Sequence, residues 1–238
     1  MNNEEIKSQA IIFAKKNKKR ITYELTDRKI YKSDDNAVSV FMAGSPGAGK
    51  TEFSKNLIAV FEETTEHKVI RIDGDEIRAR IPGYTGSNSF LFQGAISIIV
   101  DKIHDMALAQ KQTFILDGTF SQYDKALQNI KRSLNKHREV FIFYIYQEPQ
   151  VAWEFTKTRE EKEGRNIPKD KFIEQFFGAE KTASRLRKEF GKEVTLFLVK
   201  KNYQTNSVEN IVKIEQNGKL IDDYIKESYT VDQMKKLL

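Results

Sequence analysis

A short apolar run, Val38-Ser39-Val40-Phe41-Met42-Ala43, leads straight into Gly44-Ser45-Pro46-Gly47-Ala48-Gly49-Lys50-Thr51. A strand-length stretch followed by G-x-x-x-x-G-K-T leaves few folds open, because the pattern works only between a strand and a helix. Gly44, Gly47 and Gly49 let the backbone curl so that successive N–H groups point inward at an anion. Lys50 can reach the β- and γ-phosphates, and Thr51 can set its hydroxyl on Mg²⁺. Phe53, Leu57, Ile58, Val60 and Phe61 then supply the apolar face of a helix whose N-terminus lies under the phosphates. Coincidence is the alternative: at average residue usage, about one chain in a hundred of this length carries these fixed positions by accident. The flanking strand and helix patterns make accident rarer still, so a nucleoside triphosphate site is expected. A phosphate loop leaves the base to other contacts, so ATP is expected and GTP stays open.

At 238 residues the chain can bury one α/β domain with a substantial core and a small appendage. No apolar run approaches the roughly 18 residues of a membrane span. The start, Met-Asn-Asn-Glu-Glu, has no apolar signal core. Zero cysteines exclude disulfides, thiolate metal sites and cysteine nucleophiles. A cytoplasmic enzyme is the expectation, with no membrane partner. Part of the net charge of +6 comes from Lys15-Lys16-Asn17-Lys18-Lys19-Arg20. That run reads either as a nucleic-acid or anion patch or as the cationic C-terminal end of a helix striped by Ile6, Ala10, Phe13 and Ala14. No aromatic residue interleaves the basic ones, which favours the helix end over nucleic acid.

Strand-like runs recur with helical stretches between them. Strands are expected over 37–43, 68–73, 113–117, 140–146 and 194–199, and helices over 90–109, 124–135, 151–160 and 169–190. This alternation predicts an α/β fold with a mostly parallel sheet sandwiched by helices. The last part of the chain differs. Ile211–Glu215 and Leu220–Asp222 flank Asn217-Gly218, a hairpin signal, and Thr230-x-x-Gln233 resembles a capping box. The expected organisation is an N-terminal helical segment over 1–36, a phosphate-loop domain over 37–200 with a helical lid at about 156–170, and a small C-terminal appendage over 201–238. His67, His104 and His137 have no metal spacing and read as surface or helix residues, while Trp153 and Phe155 read as lid packing.

The chemistry must come from carboxylates and arginines beyond the strand ends, where ligands of open α/β sheets gather. In Ile72-Asp73-Gly74-Asp75-Glu76-Ile77-Arg78, Asp73 and Asp75 would share a crevice with Lys50. A carboxylate there can take the proton of a hydroxyl that attacks the γ-phosphate. Asp73 serves equally well as a helix N-cap, whereas Asp75 is favoured as the base. Asp117, at the tip of the third strand in Asp117-Gly118-Thr119, could hold Mg²⁺ through water, bind a substrate together with Thr119, or merely end the strand. Arg159 and Arg165 flank a charged, glycine-containing link suited to closing over a triphosphate, although such clusters also occur as solvated helix ends.

Taken together, these residues resemble the zeta-toxin family of small-molecule kinases. The resemblance runs from about 37 to 168 and rests on GSPGAGKT at 44–51, IDGDEIR at 72–78, Pro82-Gly83-Tyr84, LDGT at 116–119 and the Arg159/Arg165 pair. It implies a phosphate-loop kinase fold and ATP-dependent phosphorylation of a UDP-amino sugar such as UDP-N-acetylglucosamine. By position, it assigns Lys50 and Thr51 to ATP and Mg²⁺ and Asp75 to the general base. It assigns Asp117 and Thr119 to the sugar substrate, with Asp73 and Arg78 beside them, and Arg159 and Arg165 to the phosphates. The best-known members carry Glu where this chain has Asp117, one methylene shorter. The family further implies an antitoxin protein as partner. The readings left open are a polynucleotide or RNA-end kinase, and a nucleotide-dependent regulator without transfer chemistry in which residues 1–20 act as a cover in cis.

Overall fold

Alternate residues of the first strand feed two different cores, which fixes the layer architecture. Phe41 and Ala43 join one cluster, and Val40 and Met42 join another on the opposite face. The computed structural model describes residues 2–65, 67–202, 207–215, 221–225 and 228–238, with Asp222 described by its backbone alone. In chain order its elements are α1 (Asn3–Leu25), β1 (Ser39–Ala43), α2 (Lys50–Thr65), β2 (Ile70–Asp73), α3 (Gly74–Arg78), a 3-10 turn (Ser89–Phe92), α4 (Gln93–Ala109), β3 (Phe114–Asp117) and α5 (Tyr123–Leu134). There follow β4 (Val140–Tyr146), α6 (Pro149–Glu163), α7 (Lys169–Phe190), a second 3-10 turn (Gly191–Glu193), β5 (Val194–Lys201), β6 (Val208–Lys213), a third 3-10 turn (Ile221–Tyr224) and α8 (Val231–Leu237).

The sheet order is β2-β3-β1-β4-β5-β6. The first five strands pair in parallel, and β6 adds an antiparallel edge with Phe197 opposite Lys213. Parallel strands covered on both faces must be apolar throughout, and all five residues of β1 are indeed buried. One face carries residues of α1, α4, α5 and α7; the other is covered by α2, where Phe53 meets Phe143 at 5.4 Å and Phe143 stacks on Phe197 at 4.9 Å. Strand order reverses at β1, whose neighbours are β3 and β4, so the cleft opens beyond the carboxyl end of β1. The opposite end is pinned by Arg138, which donates from Nε to Ser39 Oγ at 2.8 Å and from Nη2 to the Val38 and Gln112 carbonyls at 2.6 Å each. Burial, only partly offset by Asp34, lowers the Arg138 pKa to about 10.

One expectation changes against this structure. The N-terminal helix does not end in the basic run: buried Ile21 and Thr22 continue its packing stripe to Leu25, so Lys15–Arg20 lie in its interior and no basic residue occupies its last turn. Helix α1 docks on α4, on the face of the sheet opposite α2. His104 is helical but not at the surface; it is fully buried in α4 between Phe41 and Phe114, at ring distances of 6.0 and 4.8 Å. The hairpin expected about Asn217-Gly218 lies outside the described residues. Of its flanks, Ile211–Lys213 pair with β5 within β6, and Ile221-Asp222 are in a 3-10 turn. The C-terminal capping box forms as expected, with Thr230 Oγ1 accepting from Gln233 N at 3.2 Å and Gln233 Oε1 accepting from Thr230 N at 2.8 Å. Trp153 packs edge-on against Phe172 at 5.1 Å, joining α6 to α7. Among the described residues, no helix is long and apolar enough to cross a membrane.

Candidate active site

The phosphate loop is seated by main-chain contacts that exclude any side chain. Gly44 has φ +143°, and a Cβ there would stand 2.5 Å from the Ile145 carbonyl oxygen of β4. Gly47 has φ +71°, and a Cβ would overlap the Ala152 carbonyl oxygen on α6 and lie 2.7 Å from Thr156 Oγ1. Gly44 N donates to the Thr119 carbonyl at 3.1 Å, tying the loop to the tip of β3. Ser45, Pro46, Gly47, Ala48 and Gly49 thus form a fixed turn that ends at Lys50 and Thr51, the first residues of α2. The N–H groups of Gly47, Gly49, Lys50 and Thr51 and the positive end of a 16-residue helix suit an anion. Half-buried Lys50 folds its ammonium back over this mouth, donating to the Gly44 and Ser45 carbonyls at 3.1 and 2.6 Å. Burial is the main reason its pKa falls to about 8; Arg165 and Arg159 push the same way, against Asp117 and Asp75.

Asp75 lies where three arginines converge. Its Oδ1 accepts from Arg78 Nη1 at 2.5 Å, its Oδ2 is bonded by Arg165 Nη1, and Arg159 Nη2 stands 3.8 Å from Oδ2. Burial alone would raise the Asp75 pKa, but the guanidinium groups of Arg165, Arg78 and Arg159 together hold it below the usual carboxylate value. Arg78 is 6% exposed and faces the Tyr84 ring at 6.0 Å. Arg159 is shared with Glu163, 3.1 Å away on the same helix. Three arginines from two separate stretches of sequence, Arg78 on one side and Arg159 and Arg165 on the other, therefore meet at the Asp75 carboxylate.

Asp73 and Asp117 are register partners on β2 and β3, and they point to a different group. Asp73 Oδ1 caps α3 by accepting from Asp75 N at 2.7 Å, while its Oδ2 is bonded by Arg71. Both Asp73 oxygens are thereby engaged, as the helix-cap alternative requires. Burial, reinforced by Asp117 and Asp75 and opposed by Arg71, raises the Asp73 pKa. Asp117 Oδ2 receives Arg71 Nη2 at 2.9 Å and Ser54 Oγ at 2.9 Å. Ser54 is one turn along α2 from Thr51 and lies 3.0 Å from its carbonyl, so Asp117 is drawn towards the phosphate-loop helix. Thr119 turns elsewhere, with its hydroxyl 3.0 Å from Ser121 Oγ.

Mg²⁺ prefers hard oxygen ligands and usually keeps several waters, taking one or two protein groups plus phosphate oxygens. The Thr51 hydroxyl and the Asp117 carboxylate fit that donor set. Among the described residues, no group of three or more His, Asp or Glu side chains could hold a metal ion without such help. Motif reading missed Arg71, Ser54 and Glu76. A signal was present, since a lone arginine inside Val69-Ile70-Arg71-Ile72 interrupts a strand of the kind buried on both faces and must find acidic partners.

The fold is similar to that of a chain from the PezAT chromosomal toxin–antitoxin system of Streptococcus pneumoniae, with a TM-score of 0.68 and 17% identity over 94% of this chain and 90% of that one. It is also similar to a chain of the AvrRxo1-ORF1:AvrRxo1-ORF2 complex with sulphate ions, with a TM-score of 0.62 and 14% identity over 91% of this chain and 69% of that one. The same complex with ATP gives a TM-score of 0.61 and 14% identity over 89% and 65%. No curated protein sequence matches this one. At such identities the structures establish a shared fold, and the sequence supplies the family. The zeta toxin pattern matches residues 22–220, a span that holds the phosphate loop, the IDGD turn, the LDGT tip and both arginines, and the chain therefore belongs to the zeta toxin family.

Proposed function

We propose that the protein is an ATP-dependent phosphotransferase acting on a hydroxyl of a nucleotide sugar of the UDP-N-acetylglucosamine type. The supporting observation is the Asp75 carboxylate, held ionised by Arg78, Arg159 and Arg165 beside the Lys50 loop. An ionised carboxylate is the form a general base requires at neutral pH. When a triphosphate enters, its oxygens compete for Arg159 and Arg165, and Asp75 is released to face the acceptor. The hydroxyl proton passes to Asp75, the acceptor oxygen bonds to the γ-phosphorus, and the bond to the bridging oxygen breaks to leave ADP. Lys50 and the two arginines neutralise the charge gathering on the transferred group. Thr51 and Asp117 would hold Mg²⁺, which would supply further neutralisation of phosphate charge when bound. ATP as the nucleotide is supported by the similar complex that carries it, and an antitoxin-like protein partner by the similar chains from a toxin–antitoxin system and a two-protein complex. The basic run of α1, the only candidate nucleic-acid surface in the sequence, lies on a helix that packs against α4. Helix α1 lies on the face of the sheet opposite α2, the helix that starts at the phosphate loop, which favours a small acceptor over a polynucleotide.

The test is mass spectrometry of mixed nucleotide sugars incubated with the protein, Mg²⁺ and ATP. One phosphate should be gained by a UDP-amino sugar. Asp75→Asn should bind ATP within about threefold of the native chain yet lose at least a hundredfold in turnover, the scale of a lost general base. Near-native turnover in that variant would remove Asp75 from the role. ADP formed without any phosphorylated sugar would replace the sugar with another acceptor or with simple hydrolysis.

A further inference from the structure

Arg71 sits on a strand buried on both faces and is only 10% exposed, yet its guanidinium is not spare. It fills a corner formed by three carboxylates. Nη2 is shared by Asp73 Oδ2 and Asp117 Oδ2, the latter at 2.9 Å, and Nη1 bonds Glu76 Oε1. Nε donates to Ser54 Oγ at 3.2 Å, and that hydroxyl also lies 2.9 Å from Asp117 Oδ2. Without the guanidinium, the corner would present the carboxyl groups of Asp73 and Asp117 at paired register positions, with Glu76 and a hydroxyl alongside. The three side chains as they stand do not make a metal site, but hard oxygens of this kind are the ones a divalent cation competes for. Nη2, in contact with both aspartates, stands where that ion would stand.

We propose that Arg71 is a resident cation that closes this corner to free divalent metal and reserves Asp117 for a metal arriving with the nucleotide phosphates. It is a positioning residue, acting through Asp117 and touching no reacting atom. The proposal rests on the assignment of Thr51 and Asp117 to the metal. An arginine suits the task because its charge is permanent and its planar fork of five donors can satisfy several oxygens at once. A lysine would carry the charge as a single point with fewer fixed directions. The arrangement also gives the site an order of events, because metal bound ahead of nucleotide would neutralise the carboxylate it needs to share.

The experiment is titration of Mn²⁺ into the full chain, followed by loss of the free-ion electron paramagnetic resonance signal, with no catalysis required. The native chain should retain Mn²⁺ only when ATP is present. Arg71→Met should retain about one Mn²⁺ per chain without ATP, at least tenfold more tightly than the native chain does, and Arg71→Lys should stay native-like. Arg71→Gln, which keeps an amide donor in the corner, repeats the test should the Met variant fail to fold. Arg165→Gln removes the same charge from Asp75 instead and should leave nucleotide-free Mn²⁺ binding as weak as in the native chain. Native binding without ATP as tight as in the neutral variants would overturn the proposal, as would no gain in either neutral variant or an equal gain in Arg165→Gln. The phosphotransferase reading can fail independently: an absence of phosphorylated sugar would leave the Mn²⁺ result standing.

Discussion

On the β1 side of the cleft, Gly44 and Gly47 are fixed by carbonyl oxygens of Ile145 and Ala152, whereas on the β2 side Asp73, Asp75 and Asp117 are fixed by the guanidinium groups of Arg71, Arg78 and Arg165. The first arrangement is backbone against backbone, with no space to give. The second is charge against charge, in which partners can be exchanged as soon as phosphates arrive. A site that must grip an invariant triphosphate and also release a base at the right moment gains from both. On the proposed function, the rigid half defines where the nucleotide lies, and the exchangeable half couples its arrival to the state of Asp75.

The largest expected effect comes from breaking the rigid half. Gly47→Ala must place a methyl group on the Ala152 carbonyl oxygen while holding φ near +71°, a conformation that costs an L-residue about 1–2 kcal/mol before any clash. Either α6 shifts or the loop opens. ATP affinity measured by calorimetry should fall at least a hundredfold, and affinity within tenfold of native would mean that the contact with α6 is not needed for the grip.

The same contrast explains what could be read in the sequence. The strand–loop–helix unit was legible because a backbone that admits no Cβ leaves glycines at fixed spacing. Strand β4 was legible to the residue, since Val140–Tyr146 is an unbroken apolar run bounded by polar segments. The Asp75 cluster was legible only in part: the IDGD turn and the two arginines could each be noted, but 90 positions separate Asp75 from Arg165 and no local pattern records their contact. Arg71 was missed because its partners come from β2, α2, α3 and β3 together. The end of α1 was misplaced for a related reason. Lysines and arginines are good helix formers, so a basic run marks neither an end nor an interior until the burial of Ile21 and Thr22 decides it.

A middle-sized effect sharpens the comparison from beneath the cleft. His104 packs against Phe41 of β1 and Phe114 of β3, so packing has set an ionisable ring among apolar ones. Neither ring nitrogen has a hydrogen-bond partner among the described residues; Asn129 approaches without completing one. Burial, helped by Arg132 and Arg138 and opposed by Asn129, pulls its pKa down to about 3. The unfolded ring titrates near 6.5, so between roughly pH 6.5 and 3 the unfolded chain binds the extra proton and stability is lost as the pH is lowered. At pH 4.5 this contributes about 2–3 kcal/mol of destabilisation. Urea unfolding of His104→Leu should lose that part of the acid slope while the native chain keeps it; identical slopes would mean the ring finds a partner when charged.

The smallest effect is read at Lys50, where the two halves of the site meet. Its ammonium rests on the carbonyls of Gly44 and Ser45, yet its charge answers to Asp117, Asp75, Arg165 and Arg159. With a pKa of about 8, it is about half protonated at pH 8. Triphosphate oxygens favour the ammonium, so binding must draw in a proton: about half a proton at pH 8, and only about a tenth at pH 7. Calorimetry of ATP binding in buffers of different ionisation enthalpy measures that uptake directly. Uptake that rises from pH 7 to 8 and disappears in Lys50→Arg would assign it to this residue, because an arginine stays charged throughout. Equal enthalpies in all buffers would instead mean that Asp117 and Asp75 outweigh burial and keep the ammonium charged, so that the carboxylate half governs even the residue most embedded in the rigid one.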